Sequence, residues 1–283
     1  MTQRMDPTTR LARGWGRTQS VMFEGAGRRV LGSAQNAGRA ILLLTEVLGV
    51  LGQLPRVVHS LLRQIALSGF GSMMVLALIT GLTGMIMGMQ IGVALKQYGQ
   101  TDQLGTVIAL TFARELGPIW AAVTVLARVG SAMAAELGTM VVNEEVDALR
   151  CMGIDPVRYL VLPRVAALVL VLPVLALLGN LVGIAGGGVV AVTMYQSSVD
   201  SYVQVVQAAL SQPIEILGGM AKAAVFGAII AIIACDRGLN TGDGAEGVGR
   251  ATTRSVELNV IAILVADLIL TWTIEVLIRP LFA

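Results

Sequence analysis

The chain has 283 residues, 55% hydrophobic and 13% charged, with a net charge of +2 and a mean hydropathy of +0.77. Such a composition excludes a soluble domain and predicts an integral membrane protein; 20 bases against 18 acids leave no basic excess for nucleic acid. Cys151 and Cys235 have no metal or redox spacing, and the single histidine, His59, has no Cys or carboxylate close by in sequence, so no metal site is expected.

Residues 1–39 are rich in Arg, Gly, Ser and Thr, with Asp6 and Glu24 as their acids and no apolar core of a secretory signal. They read as a cytoplasmic tail lying on anionic headgroups, with an organellar transit peptide as the alternative. Residues 40–62 mix the apolar run Ala40–Leu44 with Glu46, Pro55, Arg56 and His59, too interrupted to span; an interfacial helix is predicted. Five apolar spans follow, at about 66–95, 104–127, 165–195, 213–235 and 256–278. The fold class is therefore all-α integral membrane: an interfacial helix, five spans and a cytoplasmic coupling helix between spans 2 and 3.

Span 1 carries Gly84, Gly88 and Gly92, and span 3 carries Gly179, Gly183 and Gly187. Small residues at every fourth position let another helix backbone approach, because lipid supplies no hydrophobic drive for association. Span 2 contains Arg114 and Glu115, followed by Pro118, which is expected to bend or break it. Lys222 in span 4 and Asp267 in span 5 complete four intramembrane charges. Each costs about 2.5–3.5 kcal/mol to insert, so each should face protein or water, and Lys222 with Asp267 is one pairing of comparable depth.

Between spans 2 and 3 the polar island 128–164 holds one well-punctuated helix. Asn143 suits its N-cap, Glu144, Glu145 and Asp147 its positive end, Arg150 its last turn, and Gly153 and Pro156 its termination. Val146, Leu149 and Met152 recur every third residue, a narrow stripe for something to dock on; a plain membrane-surface helix is the alternative. Residues 196–212 predict a short amphipathic helix on the opposite side, and 236–255 a polar, Gly-rich loop. Arg crowds the tail, 128–164 and 236–255, whereas 96–103 and 196–212 contain Lys96 alone. The positive-inside rule then puts the N-terminus in the cytoplasm and the C-terminus outside.

No hydrolase, metalloprotease or phosphate-binding loop pattern is present, so ATP, if used, binds another chain. Two function classes fit: the membrane subunit of an ATP-driven transporter, or an ion- or proton-coupled carrier with Arg114, Glu115, Lys222 and Asp267 as its relay. Five spans offer no two equal halves for the carrier.

The stretches Glu115–Pro118 (Glu-Leu-Gly-Pro), Ala127–Met140 and Asn143–Pro156 resemble the signature of the MlaE/YrbE permeases. The likeness runs from about Ser68 to the C-terminus and includes Ala251–Ser255 and Asp267. It implies the membrane subunit of an ABC transporter that moves lipids, mostly phospholipids, between the bacterial inner membrane and an Mce-domain assembly on the periplasmic side. It further implies a homodimer, a cytoplasmic ABC ATPase dimer that carries ATP and Mg while this chain holds no cofactor, and room for an accessory cytoplasmic subunit. The lipid pocket it implies opens outward at the dimer interface and maps to Met87, Ala94, Leu95, Tyr98 and Glu115. ATPase coupling falls to Glu144, Glu145, Val146, Leu149, Arg150 and Met152.

Overall fold

The computed structural model describes residues 38–50, 52, 58–242 and 244–281. The chain divides into residues 1–45 and residues 46–283. In the first unit 38–45 are helical; of the tail expected over 1–39, residues 1–37 lie outside the described residues and 38–39 already belong to that helix. In the second unit 46–50 are helical; 51 and 53–57, part of the expected interfacial helix, also lie outside them, and 58–62 already belong to the first long helix.

Five helices among the described residues are long and apolar enough to cross a membrane: α1 (Val58–Gln97), α2 (Thr101–Val142), α4 (Val157–Tyr195), α6 (Pro213–Leu239) and α7 (Gly244–Ile278). Two short ones, α3 (Glu145–Cys151) and α5 (Val199–Ala209), join α2 to α4 and α4 to α6. At 1.5 Å per residue the longest reach roughly 60 Å, about twice the hydrocarbon core, so their ends stand in the headgroups or beyond.

The first helix packs on α4 through the two glycine rows. A Cβ on Gly84 would lie 1.9 Å from the carbonyl oxygen of Gly183, and one on Gly186 would lie 2.4 Å from that of Gly81. On another side of α4, Gly183 admits the ring of Phe112 from α2. Glycine here substitutes backbone contact for side-chain interdigitation, and the van der Waals fit carries the association. Ser198 accepts a hydrogen bond from the backbone N–H of Ser201 and so caps α5. That helix sends Tyr202 against Gly105, Gly187 and Gly188, and its hydroxyl donates to Ile184 O at 2.9 Å. Burial pushes the Tyr202 phenol up to about 12. Removing only the hydroxyl, in Tyr202→Phe, is expected to lower stability by about 1 kcal/mol, read by unfolding in detergent.

Four local expectations need correction. The polar island is narrower than 128–164, because α2 runs on to Val142 and α4 starts at Val157. Similarly, 236–255 is not a loop: α6 continues to Leu239 and α7 begins at Gly244. Charged residues there are good helix formers and pair along the helix, as Arg250 with Glu246 at 3.1 Å and Arg254 with Glu257 at 2.9 Å. Asn143 does not cap α3. It closes α2, its N–H bonded to Thr139 O, and Glu144 takes the N-cap position in a left-handed conformation at φ 60°. Pro118 does not break α2 either. A π turn at Phe112–Leu116 widens the coil before it, with Gly117 N–H reaching back to Phe112 O.

Candidate functional site

That π turn sets the geometry of the intramembrane charges. Because Pro118 has no N–H, the carbonyl of Arg114 four residues earlier lacks its helical donor. Lys222 Nζ supplies one at 3.2 Å. The same ammonium donates to both oxygens of Glu115 at 2.8 Å and to Thr271 Oγ1 at 2.6 Å, while Thr271 donates to Glu115 at 3.1 Å. Asp267 Oδ1 lies 3.2 Å from Nζ as an ion pair without hydrogen-bond alignment. Lys222 is only 3% exposed, so a membrane-embedded cation has its hydration replaced by carboxylate, hydroxyl and carbonyl oxygens.

Arg114, one position earlier, serves a different set. Its guanidinium grips Glu215 with two bonds of 2.5 and 2.7 Å and lies 3.6 Å from Glu275. Arg279 also reaches Glu215, at 2.5 Å, and bonds Glu275 one turn back along the chain. Hydrogen bonds and charge from Glu215 and Glu275 outweigh burial and raise the Arg279 pKa above its ordinary value. Three cations and four carboxylates thus tie together α2, α6 and α7, toward the end of the bundle that bears α5. Sequence reasoning placed Arg114, Glu115, Lys222 and Asp267 inside the membrane but missed Glu215, Thr271, Glu275 and Arg279. Glu215 follows Pro213 in a helix's first turn, and Glu275 and Arg279 form an i,i+4 pair at the last turn; both positions look like ordinary interfacial charges. The cavity these residues border is about 20 Å³, room for roughly one water.

The five residues mapped to a lipid pocket do not share that cavity. Glu115 lines it, and Met87, Ala94, Leu95 and Tyr98 do not. On α1, Met87 is half-buried and Ala94 exposed; Leu95 packs on the cluster of Leu104, Ile108, Phe112 and Ala191. Tyr98, just past the helix end, is 77% exposed. A separate apolar groove of about 550 Å³ runs between α4 and α5, bordered by Leu181, Ile184, Val189, Val192, Tyr202 and Val206, and sequence reasoning did not anticipate it.

At the other end, α3 hangs from α2 by the turn at Glu144. Val146 is buried, Leu149 half-buried, and Glu144, Glu145, Arg150 and Met152 are exposed. Gly153 at φ 74° closes the helix, and Asp155 Oδ1 accepts from Val157 N–H at 3.0 Å, so the return into α4 is fixed too. Arg150 bonds Asp147 at 3.1 Å on the solvent side. The exposed Met152 and Ile154 leave an apolar edge next to acidic Glu144 and Glu145. No group of histidine, cysteine or acid side chains able to hold a metal occurs among the described residues.

Residues 61–273 match the family model described as Permease MlaE. A "Probable ABC transporter permease protein" of Rickettsia felis is 37% identical over 252 residues, covering 87% of this chain and 94% of its own. A second one, from Synechocystis sp., is 41% identical over 211 residues, 75% of this chain and 80% of its own. The "Intermembrane phospholipid transport system permease protein MlaE" of Haemophilus influenzae is 34% identical over 245 residues, 87% of this chain and 94% of its own.

Proposed function

The chain belongs to the MlaE permease family, and from that premise we propose that it moves phospholipid between the inner membrane and an Mce-domain partner, driven by a separate ATPase. It is a multi-pass membrane protein and the permease of an ABC transporter, a transport subunit rather than an enzyme. The Haemophilus relative's role in intermembrane phospholipid transport supports phospholipid as the cargo. In this reading two copies of the chain form the permease. The ATPases bind ATP and Mg on the cytoplasmic side, and the Mce-domain assembly sits on the periplasmic side, where the C-terminus emerges. Met87, Ala94 and Tyr98, whose side chains α1 and its end leave wholly or partly uncovered, contribute to a pocket completed by the second copy.

The observation that carries the reading is α3. It is a short helix with an acidic flank and an uncovered apolar edge, joined through the tight turn at Asn143–Glu144 to α2, which also bears Arg114 and Glu115. A partner that seats on α3 therefore pushes directly on a transmembrane helix. The test is reconstitution of the full chain with its ATPase and measurement of ATP-dependent loss of labelled phospholipid from the vesicle. Leu149→Arg and Met152→Arg together are expected to lower ATPase binding about 30-fold, the loss of an anchor worth ~2 kcal/mol, and to abolish ATP-dependent movement without disturbing insertion. Unchanged binding would remove α3 from the interface. Wild-type movement that does not depend on ATP would favour the carrier instead.

A further inference from the structure

A second polar recess lies far from the ion network, at the end of the bundle that bears α3. There α1, α2 and α4 leave an open groove of about 580 Å³, with Arg63, Gln64 and Leu67 on one wall, Ala135 and Met140 on another, and Arg164 at its inner side. Arg164 is 9% exposed. Its terminal nitrogens donate to Leu160 O at 2.9 Å and to Glu136 Oε2 at 3.2 Å, but Nε is buried with no hydrogen-bond partner among the described residues. Leaving a charged donor group unmatched in this way is costly, and its natural complement is an anionic acceptor. Arg63 is exposed and makes no ion pair among the described residues. Glu136, 61% exposed, offsets one of the two guanidinium charges and leaves the groove net positive.

The depth fits a headgroup. Arg63 and Arg164 lie within about two turns of the start of α1 and α4, and Glu136 within about two turns of the end of α2. From Gln64 to Leu95 the chain carries no charge, so Arg63 marks the boundary of the apolar layer. Below it, Leu67 and Ala135 offer an apolar wall along which an acyl chain can lie.

We propose that this groove is a binding site for one anionic phospholipid of the adjoining leaflet, its phosphate between Arg63 and the Nε edge of Arg164. The chain's own tail is a poor occupant. Residues 1–37 carry Arg4, Arg10, Arg13, Arg17, Arg28 and Arg29 against Asp6 and Glu24, and a basic segment is repelled by a basic groove. The lipid held here lies at the α3 end and is a resident of the fold, whatever cargo the transporter carries. Its seat bridges α1 and the two helices, α2 and α4, that α3 joins.

The test compares the full-length chain loaded with phosphatidylglycerol or phosphatidylcholine of identical acyl chains, retained lipid being counted by native mass spectrometry. Wild type should retain phosphatidylglycerol in preference. The exposed-site variant Arg63→Gln should weaken that retention about fivefold, the worth of one basic residue near an anionic surface, and leave phosphatidylcholine unchanged. Lys96→Gln, at the opposite end of α1, should change neither. Equal retention of the two lipids by wild type, or an Arg63→Gln effect no larger than that of Lys96→Gln, overturns the site. So does a benzoylphenylalanine at position 139 that crosslinks to the chain's first 57 residues or to a second copy instead of to lipid.

Discussion

Replacing Lys222 with methionine is expected to lower the unfolding free energy in detergent by about 3 kcal/mol, the low end of what breaking a buried ion pair costs. The low end applies because Glu115 keeps 34% of its side chain exposed, so part of its charge is screened. Four groups lose the ammonium at once: the carboxylates of Glu115 and Asp267, the Thr271 hydroxyl oxygen, and the Arg114 carbonyl that Pro118 leaves without a helical donor. Combining Lys222→Met with Glu115→Gln and Asp267→Asn should recover more than half of the loss, since no uncompensated charge then remains. Were the triple variant as unstable as the single one, packing of the lysine stem would be the cause instead of charge.

The second large effect belongs to Gly84. Its added Cβ would meet the backbone oxygen of Gly183, which cannot swing aside as a side-chain tip can. Gly84→Leu is accordingly expected at or beyond the upper end of the roughly 1–3 kcal/mol range for overpacking, with α1 displaced from α4. Gly69 lies on the same helix, but its Cβ would have only an ordinary contact, 3.9 Å from Val171. Gly69→Ala should be neutral or slightly stabilising, because alanine is the better helix former by up to ~1 kcal/mol. Thermal unfolding of both variants in the same detergent checks the pair. Similar melting temperatures would mean that the seam is looser than its backbone contacts require.

Hydropathy revealed the membrane-crossing segments because lipid leaves a chain few alternatives to an apolar helix. It did not reveal the helix ends. Residues 128–142 and 244–255 carry charges and glycines such as Gly138 and Gly247, yet the Ala, Arg, Glu and Met between them are good helix formers; the pattern records where the bilayer stops and says nothing of where the coil does. The N-cap was misplaced for a related reason. Asn143 has the composition of a cap, but α2 had not finished, and the next residue turned the chain by adopting φ 60°. Of the ion network, Lys222 and Asp267 could be matched by depth, whereas Arg114 with Glu215 could not. Depth estimates treat a charge beside a helix end as solvated, and here the fold draws Glu215 down to 6% exposure. Of the residues that the family resemblance assigned to a lipid pocket, Met87, Ala94 and Tyr98 stay partly or wholly exposed in the single chain, whereas Leu95 packs on the Leu104 cluster and Glu115 turns to Lys222.

The wide turn at Phe112–Leu116 also bears on how this helix tolerates changes of length. A π turn houses one residue more than an α-helix would use at the same place, so a deletion there would let the coil regularise and would be harmless by propensity. It would also rotate everything on one side of the deletion by about 100° relative to the other. Arg114 now donates to Glu215 of α6 and Glu115 accepts from Lys222 of α6 and Thr271 of α7, while the chain beyond Pro118 keeps its own register against α4 and α6. Both alignments cannot survive a one-residue loss. A shortened α2 could remain helical and still cross the bilayer, yet it would present its cations and carboxylates to the wrong neighbours.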